Sequence, residues 1–178
     1  MRSLAAELGV SPMTPYRYFN DKDEILAAVR ARAFARFADA LEGAFDAPGA
    51  PTGRAGRVAD AYVRFAFGEP ASYRLMFDLT QPHEGQYPEL VGASARARAM
   101  MTAYVRGLVD AGVLAGDPAT IGHVFWAALH GAVVLELAGK LTAACDFDKI
   151  RHEIWRALLR GFAPTISDAP KRAEAVTV

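Results

Sequence analysis

Two backbone signals near the N-terminus constrain the fold of this chain more than any other feature: Gly9, and the pair Ser11-Pro12. Leu4, Ala5 and Leu8 precede them at the spacing that lines up apolar side chains on one helix face. Gly9 stops that helix, because glycine takes the left-handed C′ conformation without steric cost. Ser11 can cap a following helix, and Pro12 at its first position gives up only an N–H that has no intrahelical partner. Two short helices around a tight glycine turn form a helix-turn-helix, whose second helix is shaped to enter the DNA major groove. Pro15, four residues past Ser11, disturbs a regular first turn through its missing N–H and its ring. The cap can therefore slide towards Thr14.

The second helix carries the side chains such a role needs. Thr14, Tyr16, Arg17 and Tyr18 bear donors that reach phosphates or base edges, and Phe19 can anchor the helix to the core. Lys22 follows at the mouth of the next helix, where its ammonium can meet a phosphate beside backbone N–H groups. With Ser11 and Met13, these residues make the expected DNA-contact set: Ser11, Met13, Thr14, Tyr16, Arg17, Tyr18 and Lys22.

The run Val10-Ser11-Pro12-Met13-Thr14-Pro15-Tyr16-Arg17-Tyr18-Phe19-Asn20-Asp21-Lys22-Asp23-Glu24-Ile25-Leu26 resembles the DNA-binding signature of TetR-type transcriptional regulators. Farther on, Trp126-Ala127-Ala128-Leu129-His130-Gly131 resembles the Trp…His-Gly motif of one ligand-domain branch of that family. The resemblance covers nearly the whole chain. It implies an all-α homodimer that binds double-stranded operator DNA and a small-molecule effector, acting as a repressor released by that effector. The family carries a complete amphipathic helix ahead of the helix-turn-helix, whereas only Met1-Arg2-Ser3 precede Leu4. The expectation is an incomplete three-helix DNA-binding unit, through an upstream start or a truncation, with Leu8, Tyr16 or Phe19 partly uncovered.

Composition limits how such a chain meets DNA. Its net charge is zero, so DNA affinity must come from a local patch around Arg2, Arg17 and Lys22, assembled twice in a dimer. The single cysteine, Cys145, cannot form an intrachain disulfide; this suits a reducing compartment. No basic-then-apolar signal segment opens the sequence, and a cytoplasmic location is expected. Enzyme signatures are lacking: there is no phosphate-cradling glycine loop, no Gly-x-Ser-x-Gly elbow and no paired-cysteine motif. Gly92-Ala93-Ser94-Ala95-Arg96 has the serine but not the closing glycine. His123 and His130 stand roughly 10.5 Å apart along a helix axis, too far for one ion held at about 2 Å from each ligand. No metal or other cofactor is expected.

The rest of the chain reads as helix punctuated by Pro and Gly. Helices are expected over about 21–45, 54–68, 70–77, 89–111 and 146–162, with loops at 47–53 and 80–88. Asp117-Pro118 open a further helix, and Ile121–Leu141 is apolar nearly all round. Such a segment is a membrane span or a helix buried on two faces. His123, His130, Glu136 and Lys140 make a span costly, while Ala127, Ala128, Gly131, Ala132 and Ala138 permit close helix approach. One face is expected on the chain's own core and another on a partner subunit. The final helix, with Ile150, Ile154, Leu158 and Phe162 in a row, lies beside it in a four-helix dimer interface. The interface set is Ala128, Gly131, Ile154, Leu158 and Phe162.

These expectations divide the chain into a DNA-binding region with its connecting helix (1–45), a helical effector-binding and dimerisation domain (46–164), and a frayed tail (165–178). Tyr62, Phe65, Met76, Phe77, Met101, Tyr104, Phe125, Trp126 and His130 form the expected effector set, a mixture suited to an apolar molecule fixed by a few hydrogen bonds. The same residues also suit plain core packing. His130 either holds a ligand oxygen or bonds a buried backbone group. A different class of function stays open: a helical ligand-binding or dimer-forming protein without autonomous DNA binding.

Overall fold

The computed structural model describes residues 7, 9, 11, 13–81 and 83–165. Expectations placed on Arg2, Leu4, Ala5, Leu8, Val10, Pro12 and 166–178 lie outside the described residues. Among those described, the chain is all-α: α1 (Lys22–Asp46), α2 (Pro51–Gly68), α3 (Pro70–Met76), α4 (Pro88–Asp110), α5 (Pro118–Leu137) and α6 (Phe147–Gly161). Single 3-10 turns occur at Pro15–Arg17 and Glu84–Gln86, and Thr142 and Cys145 share an isolated bridge. The chain divides into two units, Met1–Ala47 with Arg57–Met100, and Pro48–Gly56 with Met101–Val178. The division falls inside α2 and α4.

In the first unit, α1 is closed at both ends by side chains. Asp21 Oδ1 accepts from Glu24 N at 2.8 Å, satisfying one orphan donor of the first turn, and Glu24 Oε2 reaches back to accept from Asn20 N at 2.6 Å, a variant of the capping box. At the far end the last carbonyls have no helical partners, and Arg57 supplies them, its Nη2 donating to Ala47 O at 2.6 Å. Ala27, Ala31, Phe34, Ala38 and Leu41 follow a helical stripe and are buried. Around them, aromatic rings meet mainly edge to face: Phe37 with Tyr62 at 5.1 Å, Tyr73 with Phe77 at 5.0 Å, and Phe34 with Phe77 at 5.9 Å.

Two helix limits differ from expectation. The first is the loop expected over 47–53, which ends sooner because α2 starts at Pro51. Proline's fixed φ suits a first helical turn, and Ala50 O accepts the first bond from Arg54 N at 2.9 Å.

The second limit lies in the same unit as Pro51, at the end of α5. Asp117 caps the start of that helix, its Oδ2 accepting from Thr120 N at 2.8 Å, with Pro118 in the first turn. The helix stops at Leu137, short of Leu141. Gly139 sits at φ +63 and Lys140 N donates back to Leu135 O at 2.9 Å, the closure that ends a helix through a left-handed residue. Asp146 caps α6 through Lys149 N at 2.9 Å. The end of α6 is pinned where Phe162 O accepts from Ala115 N at 2.8 Å. Between α4 and α5 the backbones come close at Gly122, where a Cβ would lie 2.3 Å from Met101 O.

Candidate functional site

The expected recognition helix is a single 3-10 turn. Pro15 begins it, Thr14 is its N-cap without a side-chain bond, and Tyr18 N and Phe19 N both donate to Pro15 O, at 3.0 and 3.1 Å. A proline cannot donate an i→i−4 bond, so the cap falls at Thr14 rather than at Ser11. Ser11 instead stabilises the approach: its Oγ accepts from Met13 N at 3.3 Å and its carbonyl from Thr14 N at 2.9 Å. Gly9 takes φ +64, the left-handed turn its position requires.

This segment faces solvent. Tyr18 is 76% and Met13 66% exposed; Tyr16, Arg17, Ser11 and Lys22 are exposed as well, while Thr14 and Phe19 are half-buried. Apolar bodies with polar tips held in water are the side chains that meet bases and sugars at a nucleic-acid surface. Arg17 and Lys22 supply its cations, and Asp21, Asp23 and Glu24 crowd the adjoining helix start. Burial, and then those three carboxylates, hold the Tyr87 phenol above its usual range.

Of the expected effector residues in the first unit, Tyr62, Phe65 and Met76 are buried and Phe77 is half-buried. The Tyr62 and Tyr73 hydroxyls lie 2.6 Å apart inside the aromatic cluster. Burial, reinforced by Tyr62, holds the Tyr73 phenol far above its usual range, so the pair is a neutral donor and acceptor in an apolar setting. Sequence reasoning leaves Tyr73 out of the site. Its pairing with Tyr62 spans the α2–α3 break at Gly68-Glu69-Pro70, where no local period links them.

In the second unit, Met101, Tyr104 and Phe125 are buried. Phe125 packs edge-on against Tyr104 at 6.5 Å and Trp155 at 5.3 Å. Trp126 is half-buried beside the exposed ring of His123, at 5.9 Å. His123 Nδ1 meets Ala119 O at 2.7 Å; a carbonyl only accepts, so Nδ1 carries the proton. His130 is half-buried, and burial lowers its pKa. The folded state therefore disfavours the imidazolium. The contribution of His130 to stability is fully present above about pH 6.5 and is lost as pH falls from there through the lowered value. Replacing His130 with Gln is expected to remove that loss, read as a smaller difference in urea midpoint between about pH 7.5 and pH 5 than in the parent chain. An unchanged difference would show that His130 does not carry it.

The expected interface residues Ala128, Gly131, Ile154, Leu158 and Phe162 are all half-buried. Sequence reasoning does not single out Val124, Val134 and Leu135, which are exposed on α5 at 37%, 43% and 46%. Together with Ala127 and Gly131 they follow helical spacing, so α5 carries a continuous stripe of apolar and small side chains that runs on to its C-cap, Ala138.

A family profile described as tetracyclin repressor-like, C-terminal domain, matches residues 55–162. Among solved structures, a protein of unknown function from Rhodococcus sp. RHA1 is 29% identical with a TM-score of 0.77, covering 92% of this chain and 84% of that one. The TetR family transcriptional regulator PfmR from Thermus thermophilus is 22% identical with a TM-score of 0.70, covering 89% and 86%, a likeness of fold. No curated protein sequence matches the chain.

Proposed function

The chain belongs to the tetracycline repressor-like (TetR) family of regulators, and from that premise we propose that it is a homodimeric cytoplasmic repressor, released from operator DNA by a small apolar effector. The observation that carries this reading is the solvent-facing segment Met13–Phe19, tied to α1 by the Asn20, Asp21 and Glu24 capping box, ahead of the matched domain. Its tyrosines and Arg17 read DNA, and Lys22 binds a phosphate. The buried hydroxyl and aromatic residues of the helical domain suit an apolar effector with a few hydrogen bonds. Repression ends when an effector prefers the state in which the two reading segments no longer fit adjacent half-sites; equal affinity for both states shifts nothing.

The test is fluorescence anisotropy on the DNA flanking the gene, across a salt series. Saturable, sequence-selective binding that weakens steeply with salt supports the proposal. Lys22→Ala is expected to weaken binding to all sequences and to reduce the salt slope by about 2, because one phosphate fewer is neutralised in each of the two half-sites. Tyr16→Ala is expected to lower affinity for the preferred sequence, with the dimer intact in both variants. Unchanged binding sinks the corresponding assignment. A second reading, a helical dimer without DNA binding, draws on one observation: the reading element is only a single 3-10 turn. Absence of selective binding by the parent chain favours that reading.

A further inference from the structure

In the first unit, α1 is gripped by two arginine forks well away from the end that carries the reading segment. Arg36 of α1 donates from Nε to Glu69 Oε1 at 3.2 Å and from Nη2 to Glu69 Oε2 at 2.6 Å, with Ser72 Oγ at 3.3 Å from the same Nη2. This ties α1 to the start of α3. Arg96 of α4 reaches two carboxylates one turn apart on α1: Nε to Glu42 Oε1 at 3.1 Å, Nη2 to Glu42 Oε2 at 2.5 Å, and Nη2 to Asp39 Oδ1 at 2.8 Å. Neither grip is explained by the core, whose contacts on α1 lie on the buried stripe. These arginine side chains are about half exposed, at 50% and 47%.

We propose that Arg36 with Glu69, and Arg96 with Asp39 and Glu42, form an ionic clamp that sets the direction of α1, making these residues positioning residues for the DNA-reading segment. The proposal rests on the DNA-binding function proposed above. An isolated exposed ion pair fixes little. A planar guanidinium bonded through two nitrogens to a carboxylate fixes direction as well as distance, and two such forks on one helix oppose both its tilt and its rotation.

The geometry gives the clamp leverage. At about 1.5 Å per residue, Lys22 lies roughly 21 Å from Arg36 and about 26–30 Å from Asp39 and Glu42. A swing of about 5° over that arm moves the reading segment by about 2 Å. Base readout needs donors held within about 0.5 Å, and successive bases on a strand are only about 3.4 Å apart. Phosphate contacts tolerate such a swing; contacts with base edges do not.

Two variants separate positioning from charge. Arg96→Met removes a positive charge, whereas Asp39→Asn with Glu42→Gln removes two negative ones. Electrostatic attraction to DNA therefore changes in opposite directions. Each is compared with the parent full-length chain on a duplex selected by the parent from a random pool, and on unselected duplex. The clamp predicts that both variants lose roughly 3- to 10-fold on the selected duplex, while on unselected duplex they move oppositely. Opposite movement on both duplexes, or no change on the selected one, overturns the proposal. Hydrogen exchange of the α1 amides in the DNA-free protein is the second arm. Faster exchange in both variants is expected, and unchanged exchange overturns the clamp. Failure of the parent to select any duplex defeats the proposed function instead, and the exchange arm then decides the clamp alone.

Discussion

Gly122→Ala is expected to lower the melting temperature by several degrees, up to about 12 °C, a large effect for a single methyl group. A Cβ at that position would stand 2.3 Å from the carbonyl oxygen of Met101, 2.9 Å from its carbon and 3.4 Å from Thr102 Cα. All three are backbone atoms of α4, so no rotamer relieves the overlap and α5 must move as a body. The movement disturbs neighbours on α5 that have no slack: Ile121 is 1% and Phe125 4% exposed. Overpacking of this kind costs about 1–3 kcal/mol, and each kcal/mol shifts the melting point of a domain this size by about 2–4 °C. Gly131→Ala is the matched control, on the same helix with nothing within 4 Å of its Cβ position in the protomer. There the better helix propensity of alanine predicts no loss of protomer stability. Equal melting points for Gly122→Ala and the parent chain would show that α4 and α5 do not approach this closely.

The contrast between these glycines marks how far the sequence can be read. Gly131, beside Trp126 and His130, reads as a packing contact, yet inside the protomer its Cβ position meets nothing. Gly122, which does meet a backbone, carries no local signal, because close approach depends on a partner helix about twenty residues away in the chain. What is legible is local. The helix starts at Asp21, Asp117 and Asp146 each rest on a side chain reaching an N–H three residues on, a signal contained within one turn. Gly112 ends α4 at φ +68, also as expected. The stop at Gly139 is hidden by the apolar run through Leu141, which continues past it. Pro15 is visible in the sequence as a disturbance, and it leaves one 3-10 turn where a helix is expected. The Tyr62–Tyr73 pair and both arginine forks join different helices; neither a period of 3.6 nor a cap encodes them.

The dimer is where the second large effect is expected. Leu158→Asp should lower dimer affinity by roughly a hundredfold or more, read as a shift from dimer to monomer in sedimentation velocity. In α6 the only residue buried among those described is Phe147, whereas Ile150, Ile154 and Leu158 recur every four residues and stay half-buried in the protomer. Leucine and isoleucine left in that state gain by being covered, at about 25 cal/mol per Å². The stripe on α5 that includes Val134 and Leu135 offers a matching surface. In a two-fold dimer of α5 and α6 each substitution acts twice, and an unpaired carboxylate inside such a contact costs several kcal/mol; about 3 kcal/mol is already roughly a hundredfold in affinity. Because Leu158 is only half-buried in the protomer, the carboxylate keeps its water in the monomer, and the helical circular dichroism should survive. Val134→Asp, at a side chain 43% exposed, tests the same face from α5 without touching α6. Both variants should also lose DNA affinity, since a monomer reads one half-site and forfeits the gain of roughly 100-fold or more that joined sites provide. If both remain dimeric, the subunits meet through another face, and the exposed stripe on α5 needs a different partner.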